Sequence, residues 1–261
     1  MKKFTFDHEP TFAELWDVCV YNLLYKVEDY TKDIETLFSK LGISKQSKII
    51  DVSAGGGFPG IELLKEGYDL VCADGFADEV ELFNHKAEAF ALSTRCSEVF
   101  WKDLPNMHEK ESFDFLFCRG NSFIYAGGGW NSMMEIKSET SMQNYQDTLQ
   151  IFYNLLRPGA WIYIDKFKDE ETPHYEKVCE IQVGNKPIEE LIFWTERFPD
   201  QKIRQASMIR KSGNIEKKTP NITYNLSGEE LESTLTTVGF KSIEKINLPS
   251  EDHFSVWIAQ K

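Results

Sequence analysis

Residues 48–60 read Lys-Ile-Ile-Asp-Val-Ser-Ala-Gly-Gly-Gly-Phe-Pro-Gly, and few folds accept such a stretch. A short apolar run (Ile49, Ile50, Val52) carries one acid, Asp51, and breaks into glycines before helical spacing resumes at Ile61, Leu63 and Leu64. This order predicts a buried strand, a tight turn and the start of a helix. Gly55, Gly56 and Gly57 let the backbone turn sharply and allow a ligand close to the main chain. Pro59 suits a first helical turn, where its missing N–H costs nothing. The free N–H groups of that turn would face whatever sits over the loop. The stretch therefore predicts a nucleotide-type site and leaves the nucleotide open.

Composition narrows the classes. A chain of 261 residues accommodates one large α/β domain with an insertion, or two small domains. Its 41% hydrophobic and 13% aromatic content predicts an ordinary folded core. The net charge of −13 opposes DNA or RNA as partner, because polyanions are repelled on average. No apolar stretch approaches a membrane span, and Met1 to Asp7 leads into no signal-peptide core, so a cytoplasmic protein without membrane association is expected. The five cysteines (Cys19, Cys72, Cys96, Cys118, Cys179) form no C-x-x-C pair, and Cys72 and Cys118 lie in apolar strand-like runs, as buried thiols in a reducing compartment would. The five histidines show no H-x-x-x-H spacing, so no zinc is expected.

Periodicity divides the rest of the chain. Leu15, Val18, Tyr21, Leu24 and Tyr25, then Ile34, Leu37, Phe38 and Leu41, predict helix over 11–41, stopped at Gly42. Leu70–Asp74 reads as a second buried strand ending in an acid, followed by a helix from about Asp78 to Leu92. Glu98–Pro105 reads as a third strand and its exit, and Phe113–Cys118 as a central fourth strand. Residues 124–143 read as a mobile loop near the pocket, before a helix over about 143–156 and a fifth strand over Trp161–Asp165. Between 173 and 224 the pattern turns to apolar runs separated by Gly184-Asn-Lys-Pro187 and Lys211-Ser-Gly-Asn214, an antiparallel meander of three or four strands. Ser227 and Glu230 form a capping box ahead of a helix, and Ile243–Leu248 and Phe254–Ala259 are the final strands.

The Gly55-x-Gly57-x-x-Gly60 spacing also fits a dinucleotide fingerprint, with Asp74 placed to hold a ribose. The inner acid turns the choice: Asp51-x-x-x-Gly55-x-Gly57 resembles the first motif of the class I S-adenosylmethionine (SAM)-dependent methyltransferases. Cys118-Arg-Gly-Asn-Ser-Phe123 is similar to a segment of the glycine N-methyltransferase-like small-molecule enzymes, and Leu156-Arg-Pro-Gly159 to a turn common in class I. The resemblance implies a doubly wound, seven-stranded Rossmann-like α/β sheet with an antiparallel C-terminal hairpin. Residues 1–42 would be a helical cap, 43–172 and 225–261 the SAM-binding core, and 173–224 an inserted β meander, either a lid or a surface for homo-oligomers.

It further implies that Asp51, Ala54, Gly55 and Gly57 pass the amino-acid end of SAM, with Asp74 and Gly75 at the ribose. Asp103 would accept from the adenine amino group with Leu104 packed on the ring, and Arg119 would stand on the cofactor side. Gly120 and Asn121 would border the methyl-acceptor pocket. Two departures argue against glycine as acceptor. Asp165-Lys166-Phe167 stands where those enzymes have Asp-His-Arg, with Lys166 as a substitute cation, and Tyr125 replaces a histidine. Methyl transfer from SAM to an acceptor, which leaves S-adenosylhomocysteine, needs alignment and exclusion of water and no covalent nucleophile. Asn121, Tyr21, Tyr25 and Tyr125 are the candidates for placing a small-molecule acceptor, an amine by preference. The alternatives are an NAD(P)-dependent oxidoreductase, for which the Tyr-x-x-x-Lys pair is missing, and a non-catalytic SAM-binding protein.

Overall fold

The computed structural model describes residues 2–128, 138–168, 174–198 and 203–261. The chain opens on β1 (Lys3–Phe6) and α1 (Phe12–Cys19), whose capping box pairs Thr11 with Glu14. A π-helical turn over Val20–Leu24 follows, and Tyr25 is extended before α2 (Val27–Leu41), which ends on left-handed Gly42. The helical reading of 11–41 thus resolves into two helices set apart by a widened turn.

The α/β core then alternates through β2 (Lys48–Asp51), α3 (Gly60–Lys65), β3 (Asp69–Asp74), α4 (Ala77–Ala89) and β4 (Cys96–Glu98). A 3-10 turn at Trp101–Asp103 and α5 (Leu104–Met107) lead to β5 (Phe113–Cys118). Another 3-10 turn spans Ser122–Gly127, and α6 (Ser138–Leu155) precedes β6 (Leu156–Phe167). Part of the loop expected at 124–143 falls on 129–137, outside the described residues, and 138–143 are helical. After β6 come β7 (His174–Val183), β8 (Glu189–Phe198), β9 (Ile203–Ser212) and β10 (Ile215–Tyr224), then α7 (Gly228–Val238), β11 (Lys241–Ile246) and β12 (Phe254–Gln260).

Seven strands form the main sheet in the order β11-β12-β6-β5-β2-β3-β4, with β12 antiparallel to both neighbours and β2 to β6 parallel. The strand order reverses between β2 and β5, which opens a crevice at their carboxyl ends. This is the class I architecture expected from the sequence. The second sheet, β1-β7-β8-β9-β10, is antiparallel except at its edge, where β1 runs parallel to β7. The N-terminal segment is therefore not only helical: Lys3 to Phe6 pair with Glu180 to Val183, a contact too non-local for periodicity to show. No described helix is long and apolar enough to cross a membrane.

The main sheet separates two apolar clusters. One holds α1, α2 and the second sheet, and the other holds α6 and α7. Phe38 anchors the first, fully buried with its ring 5.0 Å from Phe115 and 5.3 Å from Tyr68. Phe38→Ala should cost about 3–5 kcal/mol, as large-to-small core changes do. Urea unfolding measures it, and an unchanged midpoint would show that α2 does not brace the sheet.

Candidate active site

The loop after β2 is held by its own hydrogen bonds. The Ser53 N–H donates to Asp51 Oδ1 at 3.0 Å, the Ala54 N–H to the Ala73 carbonyl at 3.1 Å, and the Gly57 N–H to the Ala54 carbonyl at 3.0 Å. Asp74 accepts the Gly55 N–H on one oxygen and the Phe76 N–H on the other, both at 2.9 Å. Gly57 has φ +115°, and a Cβ there would meet Ile61 Cδ1 at 2.5 Å, so the turn requires glycine. With the amides of Ala54, Gly55 and Gly57 directed inward, the loop is not the open cradle of N–H groups that a pyrophosphate needs. The dinucleotide alternative loses its main support here.

Two cavities meet over this loop and share Ser53, Asp74, Phe76, Ser122 and Tyr125. The first, open to solvent on one side, runs from Gly55 and Gly56 beneath the second sheet. Ala54, Gly55, Asp74, Arg119, Asn121, Tyr25 and Tyr125 all line it. Gly75 lines the second cavity. Asp51 and Gly57 line neither and stand behind the wall: Asp51 is buried, with Arg119 Nε 3.5 Å from Oδ2. Burial raises the Asp51 pKa while the Arg119 guanidinium opposes the rise.

Four further expected positions fall elsewhere. Asp103 and Leu104 line neither cavity, because β4 ends at Glu98 and the chain turns away after Phe100. Leu104 is buried in the core, and Val99, Phe100, Trp101 and Lys102 face the second cavity instead. The Trp101 indole donates to the Val52 carbonyl at 2.6 Å, which fixes it as a wall. Tyr21 is also outside: the π-helical turn swings it toward Glu62, to which its hydroxyl donates at 3.1 Å. Lys166 lies toward the Trp257 ring, 5.9 Å from its centroid, and not toward the cavity.

Besides Arg119, the first cavity is lined by Arg204 of β9, 6% exposed, with its guanidinium 4.1 Å from the Phe167 ring centroid. Nothing local in the sequence marks it, since a different sheet delivers it. Phe12, Trp16 and Val20 also line this cavity, a four-residue spacing that the sequence does show. Glu79, in the first turn of α4, is buried against Gly55, and its Oε2 has no hydrogen-bond partner. Burial, with Asp74 and Asp17 nearby, pushes its pKa up to about 8. Asp74 is pushed up to about 6 by burial, against the amides it accepts.

Asn121 lines the cavity in a left-handed conformation, φ 62°, which asparagine tolerates. Its N–H donates to Asp165 Oδ1 at 2.7 Å, and its Oδ1 accepts the Phe167 N–H at 3.0 Å. It thereby ties the loop after β5 to the end of β6. The Tyr25 hydroxyl is buried at the same cavity without a hydrogen-bond partner. All five cysteines are buried and reduced, and burial raises every thiol, so no thiolate nucleophile is present. The arrangement suits binding and alignment of two molecules end to end, without covalent catalysis.

No family model matches the chain. It is 26% identical over 217 residues to a glycine/sarcosine N-methyltransferase of Aphanothece halophytica, covering 76% of this chain and 72% of that protein. A glycine/sarcosine N-methyltransferase of Halorhodospira halochloris is 28% identical over 120 residues, 46% of this chain and 40% of that one. Among solved structures, SAM-bound CalS10, an amino pentose methyltransferase from Micromonospora echinaspora, superposes with a TM-score of 0.68 at 10% identity, over 97% of this chain and 99% of that chain. The chain therefore has the fold of the class I SAM-dependent methyltransferases, and over most of its length it is similar in sequence to an N-methyltransferase.

Proposed function

We propose that the enzyme methylates a small amine in the first cavity, with the adenosine of SAM reaching into the second. The observation that carries this reading is the continuity of the two cavities across Asp74, Ser122 and Tyr125. The residues present fit the cofactor. A carboxylate has about four lone-pair positions, and Asp74 uses one on each oxygen for an amide, leaving acceptors for ribose hydroxyls. Phe100 and Trp101 offer flat apolar surface to the base. The orphaned Oε2 of Glu79, beside Gly55, suits the ammonium at the amino-acid end.

When bound, SAM supplies a methyl group on a sulfonium that serves as its own leaving group. The chain's task is then to place an acceptor lone pair on that axis and to keep water out. Asn121 holds Phe167 and the loop after β5 in place, Tyr25 and Tyr125 wall the acceptor, and β9 and β10 of the second sheet cover it. Arg204 puts a cation over the cavity, which favours an amine that also carries an anionic group. The net charge of −13 speaks against a nucleic-acid acceptor. Self-association through the second sheet is the other role open to it, which sedimentation would reveal.

Asp74→Ala should weaken SAM binding by roughly ten- to a hundredfold, the equivalent of about 1.5–3 kcal/mol for hydrogen bonds to a charged group. The ionised carboxylate is the acceptor, and its pKa in the free protein is raised to about 6. Affinity should therefore fall as pH is lowered through about 6, and Asp74→Asn should flatten that dependence. Calorimetry at several pH values measures both, and wild-type affinity in a folded Asp74→Ala protein would remove Asp74 from the site. Asn121→Ala should keep SAM affinity and lose turnover, because Phe167 loses its tie to the loop. A methyl-transfer screen of amines, amino acids and phenols reads this. Equal turnover by both proteins would exclude Asn121, and activity confined to hydroxyls would exclude the amine.

A further inference from the structure

Away from the cleft, three metal-ligating side chains converge from distant parts of the chain. His174 and Glu176 alternate by two along β7 and so share one face of the strand. His174 Nε2 and Glu176 Oε2 are 3.0 Å apart. His253, in the turn just before β12, brings its ring edge-on to His174, with centroids 6.4 Å apart at 72°. One ligand atom from each residue lies within 4.8 Å of the others, and all three residues are half-buried. Bonds of 2.0–2.2 Å in a tetrahedral zinc site put ligand atoms about 3.3 Å apart, so a small side-chain adjustment closes the set.

The backbone of His253 is held in place: its N–H and that of Phe254 both donate to Glu251 Oε1 at 3.1 Å. Two imidazoles and one carboxylate form a donor set for zinc or a neighbouring late first-row metal, and not for magnesium or calcium, which prefer all-oxygen shells. Local spacing gives no hint of the site, because its histidines come from different sheets.

We propose that His174, Glu176 and His253 bind one divalent transition metal, zinc foremost, with the fourth position left to water. The ion would clamp β7 of the second sheet to the β11–β12 turn of the main sheet, fixing the cover over the cavity from its outer side. The competing reading is an ordinary His–Glu ion pair with a second histidine nearby.

The test is zinc titration of the chelator-treated full chain by calorimetry, with cobalt as the spectroscopic probe. One equivalent of zinc should bind and raise the thermal midpoint, and cobalt should give the strong visible bands of a four-coordinate site. His253→Ala and His174→Ala should each weaken zinc by more than the roughly 10- to 100-fold that loss of an outer-shell partner causes. Glu176→Gln, which keeps the shape and removes the charge, should also weaken it and guards against misfolding of the alanine variants. Zinc binding unchanged in all three variants would place the ion elsewhere, and no binding by the wild type would leave an ion pair only. Either result overturns the proposal.

Discussion

Asp74 is the group on which the site depends. Its two oxygens accept the amides of Gly55 and Phe76, so one carboxylate at the end of β3 closes the glycine loop of β2 and starts the approach to α4. That closure explains the choice of nucleotide. A loop whose amides point inward offers a ligand little positive potential, and the cleft above it is instead rich in acids: Asp74, Glu79 and Asp17. A cofactor carrying a sulfonium and an ammonium matches this field, whereas a pyrophosphate opposes it. The raised pKa values of Asp74 and Glu79 have the same origin, carboxylates crowded in a buried space.

The second half of the site is built by long-range packing. Asn121 accepts the Phe167 N–H, Phe167 stacks near Phe193 of β8, and Arg204 of β9 covers the Phe167 ring. The loop after β5 and two neighbouring strands of the second sheet thus converge on one aromatic ring at the end of β6. The second sheet is anchored there and, at its opposite edge, by β1 pairing with β7. The first cavity is therefore walled by both sheets, whereas the lining of the second belongs to the main sheet and the segments joined to it.

This division matches what could be read from the residues. The main sheet was legible because its inner strands, β2, β3, β5, β6 and β12, carry short apolar runs, and because strand and helix alternate through the core. Ala54, Gly55 and Asp74 follow from one local pattern. The departures have specific causes. Asp103 and Leu104 line neither cavity, since β4 stops after three residues and the chain turns away after Phe100. Tyr21 and Tyr25 share a helical face only if the helix is regular, and the π-helical turn separates them. Arg204 and β1 depend on pairings across the whole chain, which no local period records.

The central claim is that this cleft is built for SAM, and calorimetry of the full chain against SAM, S-adenosylhomocysteine and NAD measures it most directly. The account predicts saturable binding of the two sulfur nucleosides and none of NAD at the same concentrations. Binding of NAD more tightly than SAM would contradict it.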